Sequence, residues 1–119
     1  MSLGCLIVDD SKEFLASAAQ LLSVQGLRVI GRASSGDEAL RLAEALRPDV
    51  TLVDVELGDE DGVELARQLT LTGWSGHVIL ISIRDRNELA ELIAESGADG
   101  FLRKDAIDAA AIRTLLGNV

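Results

Sequence analysis

Five apolar strand patterns alternate with five helical patterns along the chain, and this alternation limits the fold more than any other feature. The predicted strands cover residues 3–8, 27–33, 50–53, 77–82 and 100–102. Apolar residues spaced three or four positions apart predict helices around residues 14–22, 39–46, 65–69, 89–93 and 107–115, with Leu21 and Leu92 on the buried stripes. Regular alternation of this kind predicts an α/β domain, with a parallel sheet covered by helices on both faces.

The order of the strands follows from their composition. The first, third and fourth strands are continuous apolar runs, which is typical of strands buried on both faces. The second strand alternates apolar and polar residues, and the fifth is very short, so both are expected at the edges. With right-handed crossovers, these constraints predict a doubly wound sheet of five parallel strands in the order 2-1-3-4-5.

Length and charge narrow the possible functions. With 119 residues, of which 48% are hydrophobic, the chain is expected to form a single domain over residues 1–119. A net charge of −9 argues against direct binding of DNA or RNA. The single cysteine, Cys5, lies in a strand and is expected to be a buried thiol. Since no signal peptide or membrane-spanning run is recognised, a cytoplasmic location is expected, with no membrane association.

Polar residues follow four of the predicted strands. Asp9 and Asp10 follow the first strand and Asp54 the third, while Ser82 and Lys104 lie at the ends of the fourth and fifth. The order 2-1-3-4-5 reverses between the first and third strands, and ligands of such sheets bind beyond the carboxyl ends there. Three carboxylates gathered at that point would repel one another unless a cation joined them.

This pattern predicts a site that handles phosphoryl groups. Asp54 is the candidate nucleophile, because a carboxylate can attack phosphorus to form an acyl phosphate. Asp9 and Asp10 are expected to bind a divalent ion with Asp54, and such oxygen ligands suit Mg²⁺, Mn²⁺ or Ca²⁺; the sparse ligand set favours Mg²⁺. Lys104 would supply a positive charge and Ser82 a hydroxyl donor. Transfer of this kind depends mostly on positioning and electrostatics.

Simpler interpretations exist for each residue. An aspartate after a strand is often a helix cap or a turn former, and Lys104 alone could be a solvated lysine. The joint occurrence of all five residues at matching strand ends argues against that interpretation. His77 opens a strand without metal-ligand spacing, and Trp74 lies in a loop where packing on the core is the simpler expectation.

Four motifs together give the chain a family resemblance. They are Ile7-Val8-Asp9-Asp10-Ser11, Pro48-Asp49-Val50-Thr51-Leu52-Val53-Asp54, Ile81-Ser82 and Phe101-Leu102-Arg103-Lys104. In this set and spacing the chain resembles receiver domains of two-component response regulators, which have the flavodoxin-like (βα)5 fold. The resemblance implies that a histidine kinase or phosphotransfer protein phosphorylates Asp54. It also implies Mg²⁺ ligation by Asp10, Asp54 and the Glu56 carbonyl, with Asp9 partly through water.

The resemblance also implies how the domain signals. Phe101 would be an aromatic switch that turns inward when Ser82 moves toward the phosphate. The face of the fourth helix, fifth strand and fifth helix would then change, with a homodimer as one outcome. Residues 102–106 are similar to the subfamily with a C-terminal helix-turn-helix, which implies regulation of transcription through an output domain absent from this chain. Such a protein is a switch and not an enzyme, apart from self-phosphotransfer and slow self-dephosphorylation.

Some positions depart from the family pattern, and other functions compete with it. Ile83 stands where a small residue is common, and Asp105 stands where proline usually follows the lysine. One alternative is an aspartate-nucleophile phosphohydrolase of the haloacid-dehalogenase type, for which Glu56 would be the second acid. Another is a degenerate receiver that only docks to partners. A dinucleotide-binding domain is excluded, because the first strand-to-helix turn lacks glycines.

Overall fold

The computed structural model describes residues 3–117, which form alternating strands and helices. The strands are β1 (Gly4–Val8), β2 (Arg28–Ala33), β3 (Val50–Asp54), β4 (Glu56–Leu57), β5 (Glu60–Asp61), β6 (His77–Ser82) and β7 (Gly100–Arg103). The helices are α1 (Lys12–Val24), α2 (Gly36–Leu46), α3 (Gly62–Thr72), α4 (Ala90–Ser96) and α5 (Ala109–Leu115). Short 3₁₀ turns at Arg86–Leu89 and Lys104–Ala106 follow β6 and β7.

The main sheet has five parallel strands in the order β2-β1-β3-β6-β7. Because β6 and β7 are the fourth and fifth predicted strands, the predicted order 2-1-3-4-5 is confirmed. Cys5 pairs with Val50 and Asp54 with Ile81, so β1, β3 and β6 end at the same edge. The functional residues predicted after these strands therefore share one rim.

Two apolar layers cover the sheet. On one face, α1 and α5 contribute Leu22 and Ile112, which are fully buried with Cys5 and Ile7 of β1. On the other face, the core includes residues of α2, α3 and α4, among them Ala43, Leu69 and Ile93. The burial of alternate residues on opposite faces explains why β1, β3 and β6 read as continuous apolar runs.

Polar side chains define the starts of the helices. The side chains of Ser11, Ser35, Asp61 and Asp108 accept backbone N–H groups in the first turns of α1, α2, α3 and α5. At the start of α2, the Ser35 hydroxyl oxygen accepts the N–H of Glu38 at 3.2 Å. The Glu38 carboxylate accepts from the N–H of Ser34 at 2.7 Å and not from Ser35.

Several local predictions were wrong. Leu21 and Leu92 are 43% and 42% exposed, because the buried stripes of α1 and α4 are narrower than predicted. Residue 107 was assigned to the fifth helix, but α5 begins at Ala109 and Ile107 is buried just before it. The loop after β3 contains the antiparallel β4–β5 hairpin, which was not predicted.

The longest helix in residues 3–117 has 13 residues, and none of these helices is long and apolar enough to cross a membrane.

Candidate functional site

Three aspartates meet at the rim where β1 and β3 end. One carboxylate oxygen from each of Asp9, Asp10 and Asp54 lies within 4.8 Å of the others. Asp9 and Asp54 are buried, whereas Asp10 is exposed. Asp9 Oδ1 accepts the N–H of Ser11 at 2.8 Å, which orients that side chain at the start of α1. The geometry gives a cluster with two buried acids and one acid open to solvent.

Lys104 reaches into this cluster from the end of β7. Its Nζ lies 2.6 Å from Asp9 Oδ2 and donates a hydrogen bond to Asp54 Oδ2 at 3.1 Å. The Asp9 contact is a short ion pair, and this fully buried oxygen has no hydrogen-bond donor other than Lys104 among residues 3–117. One lysine therefore faces two buried carboxylates, and the cluster keeps excess negative charge.

Burial and charge perturb the acid–base chemistry of the cluster. Burial is the largest influence on Asp54 and raises its pKa from 3.8 to about 6. The charge of Asp9 adds to this rise, whereas bonds from Glu56 N–H and Lys104 oppose it. For Lys104, burial lowers the pKa, but its bonds to Asp9 and Asp54 outweigh that effect and leave the pKa raised. Lys104 thus stays charged at neutral pH.

The β4–β5 hairpin contacts two of the three acids, Asp54 and Asp10. Glu56 N–H donates to Asp54 Oδ1 at 3.1 Å. Gly58 turns the hairpin with φ of +61°, and a Cβ built on it would lie 3.4 Å from Asp10 Oδ2. Left-handed backbone at this turn suits glycine.

Gly62 ends the loop that connects Asp54, the candidate nucleophile, to α3. Its N–H donates to the carbonyl of Val55 at 3.0 Å, as α3 begins. A Cβ on Gly62 would collide with the backbone carbonyl oxygen of Asp54. The absence of a side chain at residue 62 is therefore what allows α3 to start directly beneath Asp54.

Phe14 is a contact residue of the cluster that the sequence interpretation did not include in the site. Lys104 Nζ lies 4.5 Å from the centroid of the Phe14 ring, within the range of a cation–π interaction. The ring thus lies beside the ammonium group that contacts Asp9 and Asp54. Only the position of Phe14, one turn into α1, could have indicated this contact.

Ser82 and Phe101 are both buried in this structure. Ser82 is buried, and its Oγ accepts the N–H of Arg84 at 3.0 Å, which leaves its hydroxyl proton free to donate elsewhere. Phe101 is 6% exposed and packs in the core cluster shared by α3 and α4. The ring is thus already turned inward in this structure.

Two arginines connect the loops around the rim. Arg84 lies 3.7 Å from Glu56 and 3.4 Å from Glu88. Arg103 bridges Asp85 and Asp105, at 3.0 Å each. All these side chains are about half exposed, so the pairs are expected to contribute little to stability.

The cluster fits a hard divalent cation. Its ligand atoms are all oxygens, it has an excess of negative charge, and the buried Asp9 Oδ2 has no donor other than Lys104 in the described part of the chain. Mg²⁺ prefers oxygen ligands and usually takes only one or two carboxylates while keeping several waters, which the exposed side at Asp10 allows.

The perturbed carboxylate leads to a first prediction. In metal-free protein, we expect the Asp54 carboxyl group to titrate near pH 6, about two units above an ordinary aspartate. Carboxyl ¹³C shifts followed from pH 3 to 8 would measure the midpoint. Added Mg²⁺ should lower it, because a cation favours the ionised form. A midpoint near pH 4 would contradict the burial described here.

Comparisons with known proteins agree with this geometry. The family model described as "Response regulator receiver domain" matches residues 5–116. The nitrate/nitrite response regulator protein NarL of Escherichia coli K12 is 33% identical over 101 residues, covering 84% of this chain and 47% of that protein. The DNA-binding transcriptional activator EvgA of the same organism is 26% identical over 102 residues, covering 86% and 50%.

A solved structure shows the same architecture. The signal receiver domain of a response regulator NarL from Mycobacterium tuberculosis has a TM-score of 0.84 and 29% identity, and the match covers 98% of both chains. The chain therefore belongs to the family of response regulator receiver domains.

Members of this family are typically signalling switches and not enzymes, and they interact with histidine kinases or phosphotransfer proteins. The present chain spans about half the length of the curated relatives that it matches.

Proposed function

We propose that residues 1–119 form one cytoplasmic receiver domain that accepts a phosphoryl group on Asp54 from a histidine kinase or phosphotransfer protein. One observation carries this proposal: the buried Asp54 carboxylate contacts Lys104 and is grouped with two further acids at the rim of the sheet. The site therefore offers both the nucleophile and the electrostatic partners that phosphoryl transfer needs.

The transfer itself needs few protein groups. An Asp54 carboxylate oxygen attacks the phosphorus of a phosphohistidine, so that a P–O bond forms as the P–N bond breaks. The electron pair of the broken bond goes to the imidazole, which takes up a proton. Lys104 remains protonated and neutralises charge on the phosphoryl oxygens, while Ser82 donates its hydroxyl proton to one of them. Hydrolysis of the acyl phosphate slowly restores Asp54.

A magnesium ion completes this proposal, with Mn²⁺ as a substitute. The carboxylates of Asp9, Asp10 and Asp54 and the backbone carbonyl of Glu56 would hold it. When bound, the ion supplies the positive charge that lets an anionic carboxylate approach an anionic phosphoryl group. The excess negative charge of the cluster and its all-oxygen set of candidate ligands support this assignment.

The signal would leave the site through Ser82 and Phe101. A phosphoryl group on Asp54 offers Ser82 a stronger anionic acceptor than any present here, and movement of Ser82 displaces the Arg84 N–H bonded to it. Phe101 is already inward, so phosphorylation would stabilise this rotamer against an outward one. The affected face comprises α4, β7 and α5.

Output through transcription is the simplest continuation. EvgA is described as a DNA-binding transcriptional activator, and this chain covers half of it. We infer that the receiver controls a DNA-binding output domain outside this chain, since the chain itself, with a net charge of −9, is poorly suited to bind DNA.

Labelling with a small acyl phosphate tests the proposed function directly. With Mg²⁺ and acetyl phosphate, the protein should gain one phosphoryl group, seen as a single mass increment that does not form when Mg²⁺ is chelated beforehand. Continuous release of phosphate without a labelled intermediate would favour a phosphohydrolase of the haloacid-dehalogenase type. No labelling and no release would favour a degenerate receiver that only docks.

Self-association provides a second test, aimed at the switch. Beryllofluoride, which mimics a phosphoryl group, should strengthen self-association about tenfold, or about 1.4 kcal/mol, which lies within the usual coupling range of about 1–3 kcal/mol. Phe101→Leu should reduce this gain, because a smaller side chain fills the inward position less well. Sedimentation velocity with and without beryllofluoride would measure both effects. An unchanged dissociation constant in all four samples would place the output face elsewhere.

A further inference from the structure

The β4–β5 hairpin is bonded to the start of α2 through Glu60. Glu60 Oε1 accepts the backbone N–H of Gly36 at 3.0 Å, although the two residues are 24 positions apart. Gly36 is the first residue of α2 and is buried. A Cβ built on Gly36 would lie only 2.5 Å from Glu60 Oε1, so the contact depends on glycine at this position.

The same hairpin contacts the acidic cluster at two points. Its Glu56 N–H donates to Asp54 Oδ1, and its turn at Gly58 lies against Asp10. Within the hairpin, Glu56 pairs with Asp61 and Leu57 with Glu60. Glu60 therefore lies directly across the hairpin from the segment that touches the acids.

This hairpin needs an external support. Each strand has two residues, and isolated two-stranded hairpins are marginally stable at best. An ionised carboxylate that accepts an N–H at a helix start makes a charge-assisted bond, further favoured by the helix dipole. The Glu60–Gly36 bond is such a support, and it connects the hairpin to a rigid helix.

We propose that Glu60 is a positioning residue for the divalent cation, acting through the hairpin and not as a ligand. Its bond to Gly36 holds the hairpin where the Glu56 carbonyl and the carboxylates of Asp10 and Asp54 can bind the ion together. This inference rests on the proposed function for the identity of the ion site. The claim about hairpin order does not depend on it.

Charge and position can be separated with four variants. Glu60→Ala removes both the carboxylate and the bond, whereas Glu60→Gln keeps an oxygen acceptor without the charge. Gly36→Ala keeps every charge but displaces the Glu60 carboxylate. Little stability should be lost, because Glu60 Oε1 lies at the end of a flexible side chain that can move. Glu64→Ala is the control, since Glu64 lines the same groove of about 340 Å³ between α2 and α3 without contacting Gly36.

Two measurements on folded protein test the inference. Magnesium titrations followed by amide NMR shifts should show about tenfold weaker binding for Glu60→Ala and Gly36→Ala, the range known for outer-shell partners of metal ligands. Glu60→Gln and Glu64→Ala should bind Mg²⁺ nearly as the wild type does. In metal-free protein, hydrogen exchange of the backbone amides of residues 57 and 60 should be faster in Glu60→Ala and Gly36→Ala than in the wild type. It should be unchanged in Glu60→Gln and Glu64→Ala.

Each result has a defined meaning. Equal Mg²⁺ affinity and equal exchange in the wild type, Glu60→Ala and Gly36→Ala would overturn the positioning role and leave the proposed function standing. Equal weakening by Glu60→Ala, Glu60→Gln and Glu64→Ala would show a pure charge effect and also overturn it. A wild-type chain without any Mg²⁺ response would overturn the ion site itself, whereas wild-type binding without phosphorylation would contradict only the proposed function.

Discussion

Asp54→Asn is expected to abolish labelling by acetyl phosphate while raising the stability of the metal-free protein. The amide cannot act as the nucleophile, so no acyl phosphate forms. Burial raises the pKa of Asp54 to about 6, which means that the folded state disfavours the ionised form. After allowance for partial solvation, removing that charge should add about 1–2 kcal/mol to the free energy of unfolding at pH 7.

The pH dependence checks the cause of this gain. Because the folded-state pKa is raised, the wild type loses stability relative to the variant as the pH rises from about 4 through about 6. The stability difference should therefore vanish below pH 4 and be complete above pH 7. Asp59→Asn, a substitution in the exposed hairpin turn, is the matched control and should be labelled normally. Labelling of Asp54→Asn at the wild-type rate would contradict the assignment of Asp54.

Lys104→Met is expected to have the opposite effect on stability. Without the ammonium group, the buried carboxylates of Asp9 and Asp54 lose their shared counter-ion. Breaking a buried ion pair typically costs 3–5 kcal/mol; because Lys104 is 18% exposed, we expect a loss of about 2–3 kcal/mol in metal-free protein at pH 7. Urea unfolding at constant pH would measure it.

Magnesium should restore part of this loss, because a bound cation would replace the missing charge. The stabilisation by Mg²⁺ should therefore be larger in Lys104→Met than in the wild type, whereas labelling should be much slower. Lys12→Met is the control, since Lys12 is an exposed lysine at the start of α1. Equal unfolding free energies for Lys104→Met and Lys12→Met would show that the contacts of Lys104 do not stabilise the domain.

The sheet was predictable because its signals are local. Continuous apolar runs in β1, β3 and β6, the alternating β2 and the short β7, together with right-handed crossovers, gave the strand order. The β4–β5 hairpin was not predictable, because its strands have two residues each and residues 58–61 are the turn-forming and acidic types of an ordinary loop. Its pairing depends on tertiary contacts such as the Glu60–Gly36 bond.

In the site, the residues at strand ends were predictable from the sequence, whereas the contacts between loops were not. Strand ends indicated that Asp9, Asp10, Asp54 and Lys104 would meet, and the structure places their side chains together. Phe14 beside Lys104 and the Arg84–Glu56 pair were missed, because side-chain contacts between distant loops leave no periodic signal. The inward position of Phe101 was expected only after phosphorylation, and the packing that buries it here depends on α3 and α4.

Gly62 has no reactive side chain, yet it is expected to tolerate as little change as Asp54. Any side chain there collides with the carbonyl of Asp54, and the obstacle is main chain, which cannot rotate away. Even alanine would force the backbone at Asp54 or at the start of α3 to move. In a saturation mutagenesis scan scored by signalling, residue 62 would therefore look like a catalytic position. A mutational map alone would overstate the number of residues that take part in the chemistry.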